Sequence, residues 1–107
     1  MSTALRARPR LALTCGEPAG IGPDICAQVG AQLLREGADF DVVCLADTHL
    51  LSARAAQLGL QQFIGPQFSV LHLPLAVPAI AGHLDTGNAF WVLQLLDRAM
   101  DGCFSRE

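Results

Sequence analysis

The sequence predicts an α/β protein, a parallel sheet with helices packed outside it, and two observations predict it. Short apolar runs of strand length alternate with longer stretches that carry apolar residues every three to four positions. Glycine stops separate them, so the order reads strand, helix, strand, helix, broken strand, helix. That alternation is the pattern of a doubly covered parallel sheet rather than of a hairpin-built one.

The first strand is "RLALTC", Arg10 to Cys15, a run suited to a buried position. A glycine-rich loop follows, and then Ile25, Val29 and Leu33 repeat every four residues, with Cys26 and Leu34 widening the stripe, up to a stop near Gly37. "FDVVCLA", Phe40 to Ala46, is the second strand; being almost wholly apolar, it is expected to be covered on both faces. Asp47 can cap the next helix, which presents Leu50, Leu51, Ala55 and Leu58 and ends at Gly59. "FSVLHLPLAV" can hold a third strand, but Pro66, Pro74 and Pro78 cut the region into short pieces. The last helix runs from about Asn88 to Asp101. Its apolar residues, Phe90 to Val92, Leu93, Leu95, Leu96, Ala99 and Met100, cover most of its circumference, so it is expected to pack on more than one side. Such a helix wants a further strand beside it. The expectation is therefore a single α/β domain, residues 1–107 being its N-terminal portion, with the α/β/α layers incomplete at the C-terminus and residues 1–9 a disordered arm.

Composition narrows the function classes. Seven basic residues against ten acidic ones give a formal net charge of −3, which speaks against nucleic acid as a partner. All seven are arginines, so a Walker lysine, a Schiff base or a lysine acid cannot come from this chain. No stretch reaches the ~18 apolar residues of a membrane span, and the N-terminus lacks the apolar core of a signal peptide. Cys15, Cys26, Cys44 and Cys103 form no CxxC pair and sit in apolar runs. They read as buried free thiols in a reducing cytoplasm.

The chemistry-bearing candidate is the loop "TCGEPAGIGPDI", Thr14 to Ile25. A strand passing through glycines into a helix is a common anion-binding geometry, because first-turn N–H groups lack internal partners and the helix dipole favours negative charge. Pro23 suits the first helical turn and Asp24 suits the dipole. Against a phosphate grip, Glu17 and Asp24 are both negative, no cation is adjacent in sequence, and Pro18 removes a donor. A turn that aims Glu17 or backbone groups into a cleft, and a turn that only packs, both remain open. Gly16, Gly20 and Gly22 follow neither the G-x-G-x-x-G nor the P-loop spacing. Their G-x-x-x-G-x-G order is similar to the loop of short-chain dehydrogenases, in which Asp47 could hold a ribose hydroxyl. A third reading is a non-catalytic α/β module that binds a small ligand or protein partner.

The whole phrase more closely resembles the PdxA family of 4-hydroxythreonine-4-phosphate dehydrogenases, which opens with a strand and a T-P-G-D/E-P-A-G-I-G-P-D/E loop. Glu17 to Asp24 keep that pattern without a gap, and Cys15 stands where the family has proline. "VVCLADTHLLSARAAQLGL", Val42 to Leu60, and "AGHLDTGNAFWVLQLLDRAMDGC", Ala81 to Cys103, resemble two further family segments in register. The resemblance implies the fold of the isocitrate and isopropylmalate dehydrogenases. It implies NAD or NADP, a divalent metal (Zn, Mg or Co), a phosphorylated hydroxy-acid substrate, a cytoplasmic homodimer and a role in pyridoxal phosphate synthesis. It places the metal ligands and catalytic lysine beyond residue 107, and a loop of Gly16, Glu17, Pro18, Gly20 and Gly22 at a cofactor-binding or cleft-lining position. His49, His72 and His83 match none of the implied metal ligands, and Asn88 matches the residue that opens the last helix.

Overall fold

The computed structural model describes residues 9–75, 77, 82 and 86–105. Strand β1 (Arg10–Thr14) leads through the glycine loop into α1 (Gly22–Glu36). Strand β2 (Asp41–Ala46), helix α2 (Thr48–Gln57) and strand β3 (Phe68–His72) follow. A 3₁₀ turn at Thr86–Asn88 then opens α3 (Ala89–Ser105). The three strands form one parallel sheet in the order β1-β2-β3, with Arg10 opposite Asp41 and Val42 opposite Phe68. The predicted α/β class and the parallel sheet are both present.

β2 is the central strand and its last three residues, Cys44, Leu45 and Ala46, are all buried, as its continuous apolar run requires. β1 differs from its expectation. It reads as a buried strand, yet it lies at a sheet edge and Leu11 is 50% exposed. An apolar run reports that a strand is suited to burial, not that a neighbour is present. The N-terminal arm falls in residues 1–8, outside the described residues; Pro9 is already tied in, its carbonyl accepting from the Asp41 amide at 2.9 Å. Of the proline-broken middle, residues 76 and 78–81 are likewise outside the description, and β3 is confined to five residues.

α1 and α2 pack side by side, while α3 lies against β1 and β2. The buried side of α1 is Cys26, Ala27, Gly30 and Ala31, rotated from the Ile25–Val29–Leu33 stripe that periodicity predicts. Ile25 is half-exposed. The reason is steric: a face of small residues lets the helix approach the sheet more closely than one of branched side chains would. A Cβ on Gly30 would overlap the Phe63 carbonyl just before β3 and crowd the Phe68 ring at the start of that strand. In α2 the buried set is Leu50, Leu51, Arg54 and Ala55, while the predicted Leu58 lies outside the helix and is exposed. In α3, Trp91 and Leu95 enter the core, with Val92 and Ala99 packed partly against it. Phe90, Leu93, Leu96 and Met100 do not.

A glycine loop tied down from the neighbouring helix

The loop leaves β1 at the carboxyl end of the sheet. Gly16 adopts a φ of 68°, in the left-handed region open to glycine at little cost. From there the chain makes a tight turn over Glu17 to Gly20, closed by the Gly20 amide donating to the Glu17 carbonyl at 3.0 Å. Pro18 sits at the second position of the turn, where its fixed φ is an advantage. Gly22 then passes directly over the end of β1, where a Cβ would fall 1.9 Å from the Cys15 carbonyl oxygen. That contact, not conformational freedom, requires glycine at this position.

The side chain that holds the loop belongs to α2. Arg54, 3% exposed, donates from Nη2 to the Pro18 carbonyl at 2.7 Å and from Nη1 to the Gly20 carbonyl at 2.8 Å. Nη1 also meets Asp24 Oδ1 at 3.2 Å, the ion pair that joins α2 to the first turn of α1. The cation that was missing from the local sequence is therefore present, and it is engaged by two carbonyl oxygens and a carboxylate. Glu17 turns back on its own loop, its Oε1 accepting from the Ala19 amide at 2.8 Å. With the Ala19 and Gly20 amides both engaged inside the turn, neither donates to an outside anion. Among the three loop readings, the observed hydrogen bonds are those of a built turn rather than of a phosphate cradle. Arg54 was not among the sequence candidates. Its one signal was a lone arginine between Leu51 and Ala55 on the face expected to be apolar.

Asp47 caps α2 as predicted. Its Oδ1 accepts from the His49 and Leu50 amides at 2.8 and 3.2 Å, and its Oδ2 accepts from the Leu75 amide at 2.8 Å. Burial alone would raise its pKa, but the amide hydrogen bonds from Leu75, Leu50 and His49, helped by nearby His72, outweigh it and leave the pKa lowered. A buried carboxylate with both oxygens engaged is poorly placed to hold a ribose hydroxyl, which removes a secondary support of the short-chain dehydrogenase reading, the primary one being the glycine spacing. Beyond β3, Leu73, Leu75 and Val77 are each held from another part of the fold. The Leu73 carbonyl accepts from Trp91 Nε1 at 2.8 Å, Asp47 holds Leu75, and Asn88 bonds both the amide and the carbonyl of Val77. Asn88 does stand immediately before α3, but its carboxamide is committed to Val77 and is buried there.

Among the described residues no three His, Cys, Asp or Glu side chains converge as a metal site. His72 Nδ1 accepts from the Thr48 amide at 3.0 Å, which occupies that nitrogen. His49 stacks edge-on against it, ring centroids 5.8 Å apart; His83 lies outside the described residues. The described side chains thus do not fit a divalent metal. Cys15, Cys26 and Cys44 are buried free thiols, and Cys103, against expectation, is exposed. Burial, and secondarily Cys26, pushes Cys15 up to about 12; a hydrogen bond shared with Cys26, and then burial, raises Cys44. Thiols so shifted are poor nucleophiles. A groove of about 300 Å³ lies at the far end of α1 from the loop, lined by Leu33, Leu34, Gly37, Pro66 and Phe68, and has no part in this arrangement. No helix among the described residues is long and apolar enough to cross a membrane.

No family model matches the chain. Individual proteins do. It is 43% identical to a 4-hydroxythreonine-4-phosphate dehydrogenase of Azoarcus sp., over 96% of this chain and 33% of that protein. It is 46% identical to that of Chromobacterium violaceum, over 94% of this chain and 32% of the other. The crystal structure of a 4-hydroxythreonine-4-phosphate dehydrogenase from Burkholderia phymatum superposes on 94% of the chain and 34% of its own with a TM-score of 0.75, at 16% identity, which supports the fold. The chain therefore spans about a third of the length of the relatives it matches. Over that third, with the glycine loop and the elements around it in place, the chain is a homologue of the 4-hydroxythreonine-4-phosphate dehydrogenases.

Proposed function

We propose that this chain forms the N-terminal part of an NAD(P)- and divalent-metal-dependent dehydrogenase that oxidises 4-phosphohydroxy-L-threonine, with decarboxylation, during pyridoxal 5'-phosphate synthesis in the cytoplasm. The observation that carries the reading is the 43–46% identity to such enzymes over nearly the whole chain. The loop geometry supports a division of labour. Residues 14–25 supply shape at the carboxyl end of the sheet, where open α/β sheets take their ligands. In this reading Gly16, Glu17, Pro18, Gly20 and Gly22 line the cleft or the cofactor site, and no proton or hydride passes through them. Metal and NAD(P) are held by residues outside this chain, and a homodimer completes the site. The 107 residues alone then have no turnover.

A chimera tests this. Residues 1–107 replace the aligned third of the Chromobacterium violaceum enzyme, and NAD(P) reduction with 4-phosphohydroxy-L-threonine is followed. Turnover within about tenfold of the parent supports the proposal. A folded chimera, with a cooperative melt and no turnover, counts against it, as does turnover by the isolated chain.

A further inference from the structure

The peptide between Pro18 and Ala19 is the middle of the tight turn, and it is gripped at both ends. Its carbonyl accepts from Arg54 Nη2 at 2.7 Å, and its N–H donates to Glu17 Oε1 at 2.8 Å. This matters because the two common forms of a four-residue turn differ by a half-rotation of that one peptide plane. The rotation would turn the carbonyl away from Arg54 and the N–H away from Glu17 together. The second Arg54 nitrogen holds the next carbonyl but one, that of Gly20, at 2.8 Å. One planar guanidinium thus spans two carbonyls of the same turn, a geometry a single ammonium cannot reproduce.

We propose that Arg54 is the positioning residue of the glycine loop: with Glu17 it locks the Pro18–Ala19 peptide in one of its two orientations, and so sets the surface the loop offers to a bound ligand. The inference rests on the reading above only in taking that ligand to be the dehydrogenase's substrate or cofactor. The lock itself is a property of the turn. A loop that populates its competent orientation only part of the time weakens apparent affinity by that fraction and leaves the chemical step alone. Arg54 acts through the loop alone, its partners being the Pro18 and Gly20 carbonyls and Asp24.

Three variants separate the lock from a general structural role. Arg54→Lys keeps a charge beside Asp24 but not the two-carbonyl fork, Arg54→Met removes both, and Glu17→Ala frees the N–H end of the peptide. Amide hydrogen exchange of the 107-residue chain is read by mass spectrometry in peptides covering 14–24 and, as reference, β2. The expected result is exchange in 14–24 faster by about tenfold in Arg54→Lys and in Glu17→Ala, with β2 unchanged. In the active chimera the same two variants raise KM about tenfold and hold kcat within about twofold. Full loop protection in Arg54→Lys overturns the proposal, because charge alone then suffices. Equal loss of protection in 14–24 and β2, or a fall in kcat at constant KM, overturns it too. If the loop responds as expected while the wild-type chimera is inactive, the lock stands and the dehydrogenase reading falls.

Discussion

The two long helices treat their apolar residues in opposite ways. α1 buries small residues, keeps its larger ones at the margins of the contact, and is joined to α2 through the Arg54–Asp24 pair and the loop that precedes it. α3 drives Trp91 and Leu95 into the core and leaves Phe90 71% exposed and Leu93 59% exposed on its remaining surface. The first helix is largely accommodated: its small face is buried and its polar link is satisfied, with Ile25 and Leu34 left partly exposed at the margins. The second has one satisfied side and one apolar side without a neighbour among the described residues. The difference teaches that burial potential and actual burial separate wherever one side of an apolar helix has no neighbour among the described residues, and substitutions in the two helices enlarge or close that gap.

The largest effect is expected at Trp91. Its side chain is 1% exposed, and its Nε1 donates to the Leu73 carbonyl, so it fixes the segment after β3 as well as the core under α3. Trp91→Ala should cost about 3–5 kcal/mol, from lost burial and the cavity left behind. Urea unfolding followed by circular dichroism gives the value. A loss below about 1 kcal/mol would mean that α3 is not part of the cooperative unit, and the comparison with α1 would then have to be drawn between a folded region and a loosely attached one.

These differences in burial also decide what the sequence made legible. Three parallel strands, three helices, the glycine stops at Gly37 and Gly59 and the Asp47 cap follow from periodicity and capping chemistry, which act over a few residues; the stop expected at Gly102 does not, since α3 runs through it to Ser105. The exposure of β1 and the rotation of the α1 stripe do not, because both depend on what stands opposite. The loop's glycines were visible as a motif, and the closed turn follows from the Gly16 dihedral angle and the contact of Gly22 with Cys15. Arg54 was not visible, since its partners lie 30 to 36 positions earlier in the chain. A charged residue on a face expected to be apolar is a signal that something polar is buried nearby. It does not say what. Sequence alone left Glu17 open between a cleft-facing and a structural carboxylate; its Oε1 accepts from the Ala19 amide two residues on, a local bond that the spacing permits but does not announce.

Asp47 ranks next, since it satisfies three amides from two segments. Asp47→Ala removes the cap of α2, about 0.5–2 kcal/mol, and leaves the Leu75 amide without its acceptor, about 1–3 kcal/mol more. The effect depends on pH, and its sign follows from the lowered pKa of the folded carboxyl. The folded state binds its proton less tightly than the unfolded one, whose carboxyl titrates near the ordinary 3.8. The contribution is therefore fully present above that value and is lost as pH falls through the lower folded pKa. Wild type and Asp47→Ala should converge in stability on the acid side and separate above it, measured as urea midpoints across pH. Curves that stay parallel would show that the carboxylate's charge contributes nothing, leaving Asp47 as a neutral spacer.

Leu93 is expected to show the smallest effect in the isolated chain. Leu93→Gln replaces an exposed apolar side chain with a polar one of similar length in the middle of α3, where both are adequate helix formers. The 107-residue protein should change by no more than about 0.5 kcal/mol in the same urea assay. In the chimera, where the other two-thirds of a family-length protein is attached, the substitution should cost about 1–3 kcal/mol if that polypeptide covers the stripe, the scale of burying one leucine. The contrast between the two numbers is the informative quantity, because the helix's own propensity and its effect on the unfolded chain cancel between them. A cost that is small in both backgrounds would leave the apolar side of α3 facing solvent in the longer protein as well. Equal, substantial costs in both would mean that Leu93 already has a neighbour within the 107 residues, and α3 would then be as complete as α1.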